Sequence, residues 1–308
     1  MNKHNLKYNL LLLIAAAIWG FAFIAQRVGI KYIGTFTFNG IRFALGGLSL
    51  IPLILFLDYK SKSKALTDKD IKSSNKRVLY PAGLLAGLCL FIAATLQQIG
   101  LVETTAGKAA FITGLYIVLV PILGMFLKHK TGILNWIGAV TAVAGLYFLS
   151  VNEHFTLSRG DLFELIGAFF WAVHILLIDY YSPKVNALKL SCMQFFVCSI
   201  LSLITAVFLE KIILACIIQA SIPILYGGLL SVGVAYTLQV IGQKNADPTH
   251  AALILSLEAV FAALGGFILL NERLSTMGLL GCILMFSGMI ISQIQSLGIL
   301  KKYIKYRS

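Results

Sequence analysis

The sequence predicts an all-α polytopic membrane protein, with about ten transmembrane helices arranged as two inverted five-helix repeats. Three observations lead there: an apolar composition, a train of spanning-length apolar runs, and a second half that repeats the first. Of the 308 residues, 59% are hydrophobic and only 12% charged. Mean hydropathy is +0.89, whereas a soluble domain carries roughly a quarter charged residues.

Taken in order, the runs cover Tyr8 to Gln26, Thr35 to Leu57, Leu79 to Gly100, Thr105 to Leu127 and Gly132 to Ser150. They continue over Gly160 to Tyr180, Lys189 to Leu209, Pro223 to Gly242, Pro248 to Leu270 and Ser275 to Gln295. Lys3 and Lys7 precede the first run like the start of a secretory signal, but so many later runs resemble it that it reads as a first span. The ninth run is the most informative. Asp247 suits the N-cap and Pro248 the first helical position, Glu258 lies near the middle, and Asn271, Glu272 and Arg273 end it. A carboxylate at that depth must face protein or a wet cavity, and it is a functional candidate by default. Pro52 and Pro121 lie inside spans, as hinge points or as static kinks. Residues Lys211 to Ser221 are read as lying on the outer surface before Pro223 starts the eighth helix.

The formal charge of +13 does not point to nucleic acid, because the basic residues sit in short segments between apolar runs. With the N-terminus in the cytoplasm, the inside receives Lys3, Lys7, the Lys60 to Arg77 loop, Lys128, Lys130, Lys184, Lys189, Lys244 and the Lys301 to Arg307 tail. Outside remain Arg27, Lys31, Lys108, Arg159, Lys211 and Arg273. That bias, about three to one, places both termini in the cytoplasm. The five cysteines have no paired spacing and lie mostly in apolar runs, so neither a disulfide framework nor a zinc site follows.

The halves repeat, with residues 1–150 as one unit and 151–308 as the other. Trp19 falls against Trp171, and Arg42-Phe43 against Gln194-Phe195 at the same offset. TLQQIGL from Thr95 matches TLQVIGQ from Thr237, Gly138 and Gly145 match Gly281 and Gly288, and Tyr116 matches Glu258. An odd number of helices per copy inverts the second in the membrane, the plan of secondary transporters.

The Trp19-Gly20 pair, Arg42, Ser256-Leu257-Glu258, the Asn271-Glu272-Arg273 end and the Gly-rich closing helix together resemble the EamA type of the drug/metabolite transporter superfamily. The likeness covers nearly the whole chain. Ala259 and Asn271 stand where members usually have Pro and Gly. The resemblance implies ten helices around a central cavity and export of amino acids or related small metabolites.

Helical spacing puts Trp19, Phe23 and Gln26 on one face of the first helix and Trp171, His174 and Ile178 on the equivalent face of the sixth. Facing each other across a pseudo-twofold axis, they form an amphipathic pocket; facing outward, they are lipid contacts or bundle core. His174 has a substrate or proton role, or is an ordinary hydrogen-bonded histidine. Arg42, about two turns from the outer end of its helix, either snorkels or points inward to bind a carboxylate, from the substrate or from Glu258. Gln97, Tyr116, Tyr236 and Gln239 are expected near the cavity or as interhelical glue, since buried amides and phenols need partners. Lys108, in the first turn of the fourth helix, is expected to pair with Glu103. Gly100 to Lys108 has the wrong spacing for a phosphate loop, and Ala109 replaces the required hydroxyl.

The expected function is therefore secondary transport, driven by a gradient or facilitative, with no cofactor and no metal. The site comprises Trp19, Arg42, Gln97, Tyr116, Trp171, His174, Tyr236, Gln239 and Glu258. Its partners are a small-molecule substrate, membrane lipid and a proton, and its place is the cytoplasmic membrane. An intramembrane enzyme is the alternative from another class, but the five histidines are too dispersed to suggest a nucleophile-base pair or a metal cluster. An uncoupled pore or structural membrane component is the third.

Overall fold

The computed structural model describes residues 3–63, 76–104, 106–129, 131–150, 158–244, 246–269 and 276–296. Most of the basic loop, His154, the Asn271 to Arg273 helix end and the Lys301 to Arg307 tail lie outside the described residues. Ten helices carry the fold: α1 Lys3–Gly29, α2 Thr35–Ser63, α3 Lys76–Glu103, α4 Ala106–Phe126 and α5 Ile133–Ser150. They continue with α6 Arg159–Tyr181, α7 Ala187–Leu209, α8 Ser221–Gln243, α9 Pro248–Leu269 and α10 Thr276–Ser296. No strand occurs among the described residues. Eight of the helices are long and apolar enough to cross a membrane, and α5 and α10 hold shorter apolar segments. One face of the bundle carries the start of α1 and the end of α10; we call it the terminal face and the opposite one the far face.

Three of these helices are irregular, and each irregularity bears on the site. α4 is interrupted at Leu115, where the amide of Leu115 bonds Ile112 O and that of Val118 bonds Leu115 O, both three residues back. α9 is interrupted at Ser256 and Leu257, again through short turns, so that its second segment begins at Glu258. α8 runs as a π-helix from Tyr226 to Tyr236, eleven residues. π geometry is rare and usually confined to a single turn, often at functional sites. The eighth helix also begins at Ser221, earlier than expected: Pro223 is accommodated in its first turn, where no amide donor is required. Between Lys211 and Ser221 the chain forms a short helix, Leu214–Gln219, with none of its side chains buried. Asp247 caps α9 as its sequence suggests, accepting from the amides of Thr249 and His250.

Between apolar spans lipid offers no hydrophobic drive, so association depends on close van der Waals contact. The glycines that match between the halves make the tightest seam. A Cβ on Gly138 would lie 2.6 Å from Gly288 O, and one on Gly145 would lie 2.6 Å from Gly281 O. α5 and α10 thus touch backbone to backbone and pack against α4 and α9 through Leu146, Ala142, Cys282 and Met285. The central core draws on the other eight helices, with Phe43, Leu90, Tyr116, Trp171, Phe195, Tyr236 and Leu255 among its members. Outward-facing apolar side chains such as Phe56, Val140, Phe208 and Ile283 are exposed, as lipid-facing positions are. All five cysteines are free.

Candidate functional site

The cavity at the middle of the bundle takes its shape from the three irregular helices. The break in α4 brings Tyr116, and the break in α9 brings Glu258, each as the first residue after an interrupted turn. The Tyr116 hydroxyl donates to Glu258 Oε1 at 3.0 Å. Two residues matched by the internal repeat therefore meet side chain to side chain. In α8 the π register re-aims carbonyls that a regular helix would use internally, and Ser231 O accepts the Trp19 indole N–H at 3.3 Å. Tyr226 in the same segment donates to Ile18 O at 2.9 Å, fixing α8 against α1.

The cavity is lined by eight of the nine residues singled out in the sequence: Trp19, Arg42, Gln97, Tyr116, Trp171, Tyr236, Gln239 and Glu258. His174 stands behind the wall. It is fully buried, its Nε2 lies 2.9 Å from Gln194 Oε1, and its ring meets Trp171 and Tyr236 edge-on at 6.0 and 6.3 Å. The two tryptophans do face one space, with Tyr236 between them. Its ring lies 4.6 Å from Trp19, tilted by 58°, and 6.0 Å from Trp171, nearly parallel at 22°. Phe43 and Phe195 support the same tyrosine from behind at 6.0 and 5.9 Å. One wall is therefore a rigid aromatic slab.

Arg42 is buried rather than snorkelling. Its Nε donates to Asn39 Oδ1 at 3.0 Å, and Asn39 is in turn held by Ala94 O at 3.1 Å. The guanidinium carbon lies 5.0 Å from the Phe43 ring centre and 5.5 Å from that of Phe38, a cation–π arrangement that offsets part of the cost of burial. No ion pair joins Arg42 to Glu258 among the described residues. Arg42 Nη2, Gln26 Oε1, Trp171 Nε1 and Gln239 Oε1 have no protein hydrogen-bond partner. All four belong to residues that line the cavity. Buried polar atoms are nearly always paired, so these four leave hydrogen-bonding capacity open on the cavity wall that a polar solute or water can fill. Gln97 donates to Thr113 Oγ1 at 3.3 Å, and Thr113 donates to Glu164 Oε2 at 3.0 Å.

Polar layers close the bundle on either side. Toward the far face, Arg27 donates to Leu101 O and Thr104 O, and Thr104 donates to Asp161 at 2.9 Å. Lys108 pairs with Asp161 at 2.6 Å, which corrects the expected pairing with Glu103. The competing acid lies 53 residues on, in the first turn of α6, where Asp161 also forms a capping box with Ser158. Toward the terminal face, His250, Ser292, Asn135 and Asp247 form a chain of hydrogen bonds at 2.9, 2.8 and 3.4 Å.

Thr113, Ser231 and Glu164 were not singled out from the sequence. Glu164 left a signal, an acid inside the apolar run of α6, though its nearness to Asp161 makes it resemble a helix-end charge. Ser231 left none, because its role depends on the π register.

A polytopic helical bundle with an amphipathic cavity that leaves polar atoms unpartnered is an arrangement that suits a membrane carrier. The comparison with known proteins narrows this. The EamA-like transporter family matches residues 6–151 and again residues 158–293, and the chain belongs to that family. An "Uncharacterized transporter" of Archaeoglobus fulgidus (strain ATCC 49558 / DSM 4304 / JCM 9628 / NBRC 100126 / VC-16) is 30% identical over 287 residues, covering 91% of this chain and 83% of its own. The "Uncharacterized transporter YoaV" of Bacillus subtilis (strain 168) is 22% identical over 89% of this chain and 92% of its own. A solved structure described as "Crystal structure of protein" shares the fold with a TM-score of 0.76 over 95% of this chain and 98% of that one, at 16% identity. The protein is thus a multi-pass membrane transporter of the EamA type.

Proposed function

We propose that the chain is a secondary carrier that exports amino acids or related zwitterionic metabolites by alternating access, through the cavity between Arg42 and Glu258. The observation that carries this reading is the placement of a guanidinium and a carboxyl group on one aromatic-walled cavity, with a guanidinium nitrogen left open. Arg42 Nη2 takes the substrate carboxylate, and Glu258, oriented by Tyr116, takes the ammonium group. Trp19, Tyr236 and Trp171 form the face on which the side chain of the solute lies. Residues 1–150 and 151–308 are the two inverted units that rock about this site, in which repeat-matched Tyr116 and Glu258 touch. The terminal face is cytoplasmic, in keeping with the distribution of lysine and arginine.

The test is uptake of an equimolar mixture of labelled amino acids into proteoliposomes by the wild type and by Arg42→Gln and Glu258→Gln. Truncating one partner of a buried charge contact costs about 2–5 kcal/mol, so each variant should lose roughly 30-fold or more in apparent affinity. Saturable flux that both variants retain undiminished removes these residues from the site.

A further inference from the structure

The mechanism above uses one buried acid, yet two more are buried among the described residues, Asp161 and Glu164. Glu164 in α6 is fully buried, and its position depends on a close approach of α3: a Cβ on Gly100 would lie 2.7 Å from both Glu164 Cγ and Oε1. Thr113 donates to Glu164 Oε2, while Oε1 has no partner. No cation pairs with it among the described residues. An ionisable side chain inside a span is costly and marks an ion or proton pathway unless something neutralises it.

Its neighbours form a file running from the far face to the cavity. Asp161, one turn earlier on the same side of α6, is joined to Thr104 and Lys108, and the Lys108 side chain is partly exposed. On the other side of Glu164, Thr113 leads to Gln97, and both line the cavity that holds Glu258 and Tyr116. The remaining charged groups around this file are Glu103 of α3, whose Cβ approaches Gly160, and Arg27 of α1, held by Leu101 O and Thr104 O. Asp161 is fastened by Lys108, Thr104 and Ser158, so it is a fixed charge and not a switch. Glu164 has one oxygen open and a hydroxyl on the other. That hydroxyl can pass a proton on by accepting one as it gives its own.

We propose that Glu164 is the proton site of this carrier, separate from the substrate carboxylate Glu258, and that protons reach it from the far face beside Asp161. Resting on the carrier reading, this divides the labour between two acids. The carboxylic acid of Glu164 hands its proton through the Thr113 hydroxyl, which turns from donor to acceptor, to water in the cavity when the site faces the terminal side, and regains one from water at the far face; Gln97, whose amide donates to Thr113, only positions that hydroxyl. Charge and atoms balance with nothing but the proton moving.

Glu164→Gln keeps the size of the side chain and an oxygen to accept from Thr113, but cannot release a proton. In proteoliposomes with the labelled amino-acid mixture, it should retain counterflow, where the mixture is present on both sides, at close to the wild-type rate. Accumulation driven by an imposed pH gradient should fall by at least about tenfold. Thr113→Val should also weaken pH-driven accumulation. Independently of any substrate, infrared titration of the lipid-reconstituted protein should show a carboxylic C=O band that wild type and Glu258→Gln share and Glu164→Gln lacks. If Glu164→Gln accumulates as wild type does, loses counterflow while remaining folded, or keeps the band, the proposal is overturned. If wild type carries none of the mixture, the carrier reading for amino acids fails, and the infrared band still decides whether Glu164 exchanges a proton.

Discussion

Adding one methyl group at Gly288 tests the α5–α10 seam directly. A Cβ there would meet Gly138 O at 2.5 Å, Ala142 N at 3.1 Å and Ala142 Cβ at 3.2 Å. Carbon and carbonyl oxygen settle at about 3.3 Å or more, so the two backbones must part by about 0.8 Å. The obstruction is main chain on a neighbouring helix and cannot rotate away. Overpacking of this kind costs about 1–3 kcal/mol, and here the separation also loosens the Gly145–Gly281 contact farther along the same seam. Gly107 is the control, because a Cβ there meets nothing within 4 Å and the residue lies in the first turn of α4. Gly107→Ala should leave stability unchanged or raise it by about 0.4–1 kcal/mol. The assay is thermal unfolding of purified protein in one detergent, followed by the loss of monodisperse protein on size exclusion. Gly288→Ala should fall clearly below wild type and Gly107→Ala should not. Equal midpoints for Gly288→Ala and wild type would refute the claim that backbone contact holds this seam.

Other consequences are open to measurement. Tyr116→Phe removes the hydroxyl that orients Glu258, and since hydrogen bonds to charged groups contribute about 1.5–3 kcal/mol, apparent affinity for the amino-acid mixture should weaken by roughly tenfold or more. Trp19→Phe keeps the aromatic wall but loses the bond to Ser231 O, a loss of about 0.5–1.5 kcal/mol, so a small drop in stability with transport retained is expected. Asp161→Asn removes the carboxylate from its pair with Lys108; with the lysine partly exposed, thermal stability should fall by about 2 kcal/mol, and unchanged stability in low salt would argue against the pair. In a background with the five native cysteines replaced by alanine, Lys31→Cys and Lys244→Cys should react with an impermeant maleimide from opposite sides of the membrane. Labelling of both from one side would contradict the bundle topology.

Much of the bundle was legible in the residue order. Membrane crossing depends on summed apolar character over about twenty residues, a property of the sequence itself. Helical periodicity put Trp19 and Trp171 on equivalent faces of their helices, leaving pocket or lipid contact open, and the repeat matched Tyr116 with Glu258, which touch in the fold. The glycine pairs of the fifth and tenth helices were legible as small-residue positions, though not as partners of one another.

The tertiary structure decided what depends on competition between neighbours. The π register of α8 is a choice of hydrogen-bond partner that no side-chain pattern encodes, and it places Ser231 and Tyr236 at the cavity. Lys108 had an acid close by in sequence, but helix packing set Asp161 nearer in space. His174 shares a helix face with Trp171 yet is held behind the wall by Gln194, a distinction of a few ångströms that periodicity does not resolve. Glu164 resembled a helix-end charge until Gly100 allowed α3 to cover it. Polarity along a chain determines which segments enter a bilayer; only the approach of one helix to another determines which polar atoms find partners and which remain open to a solute.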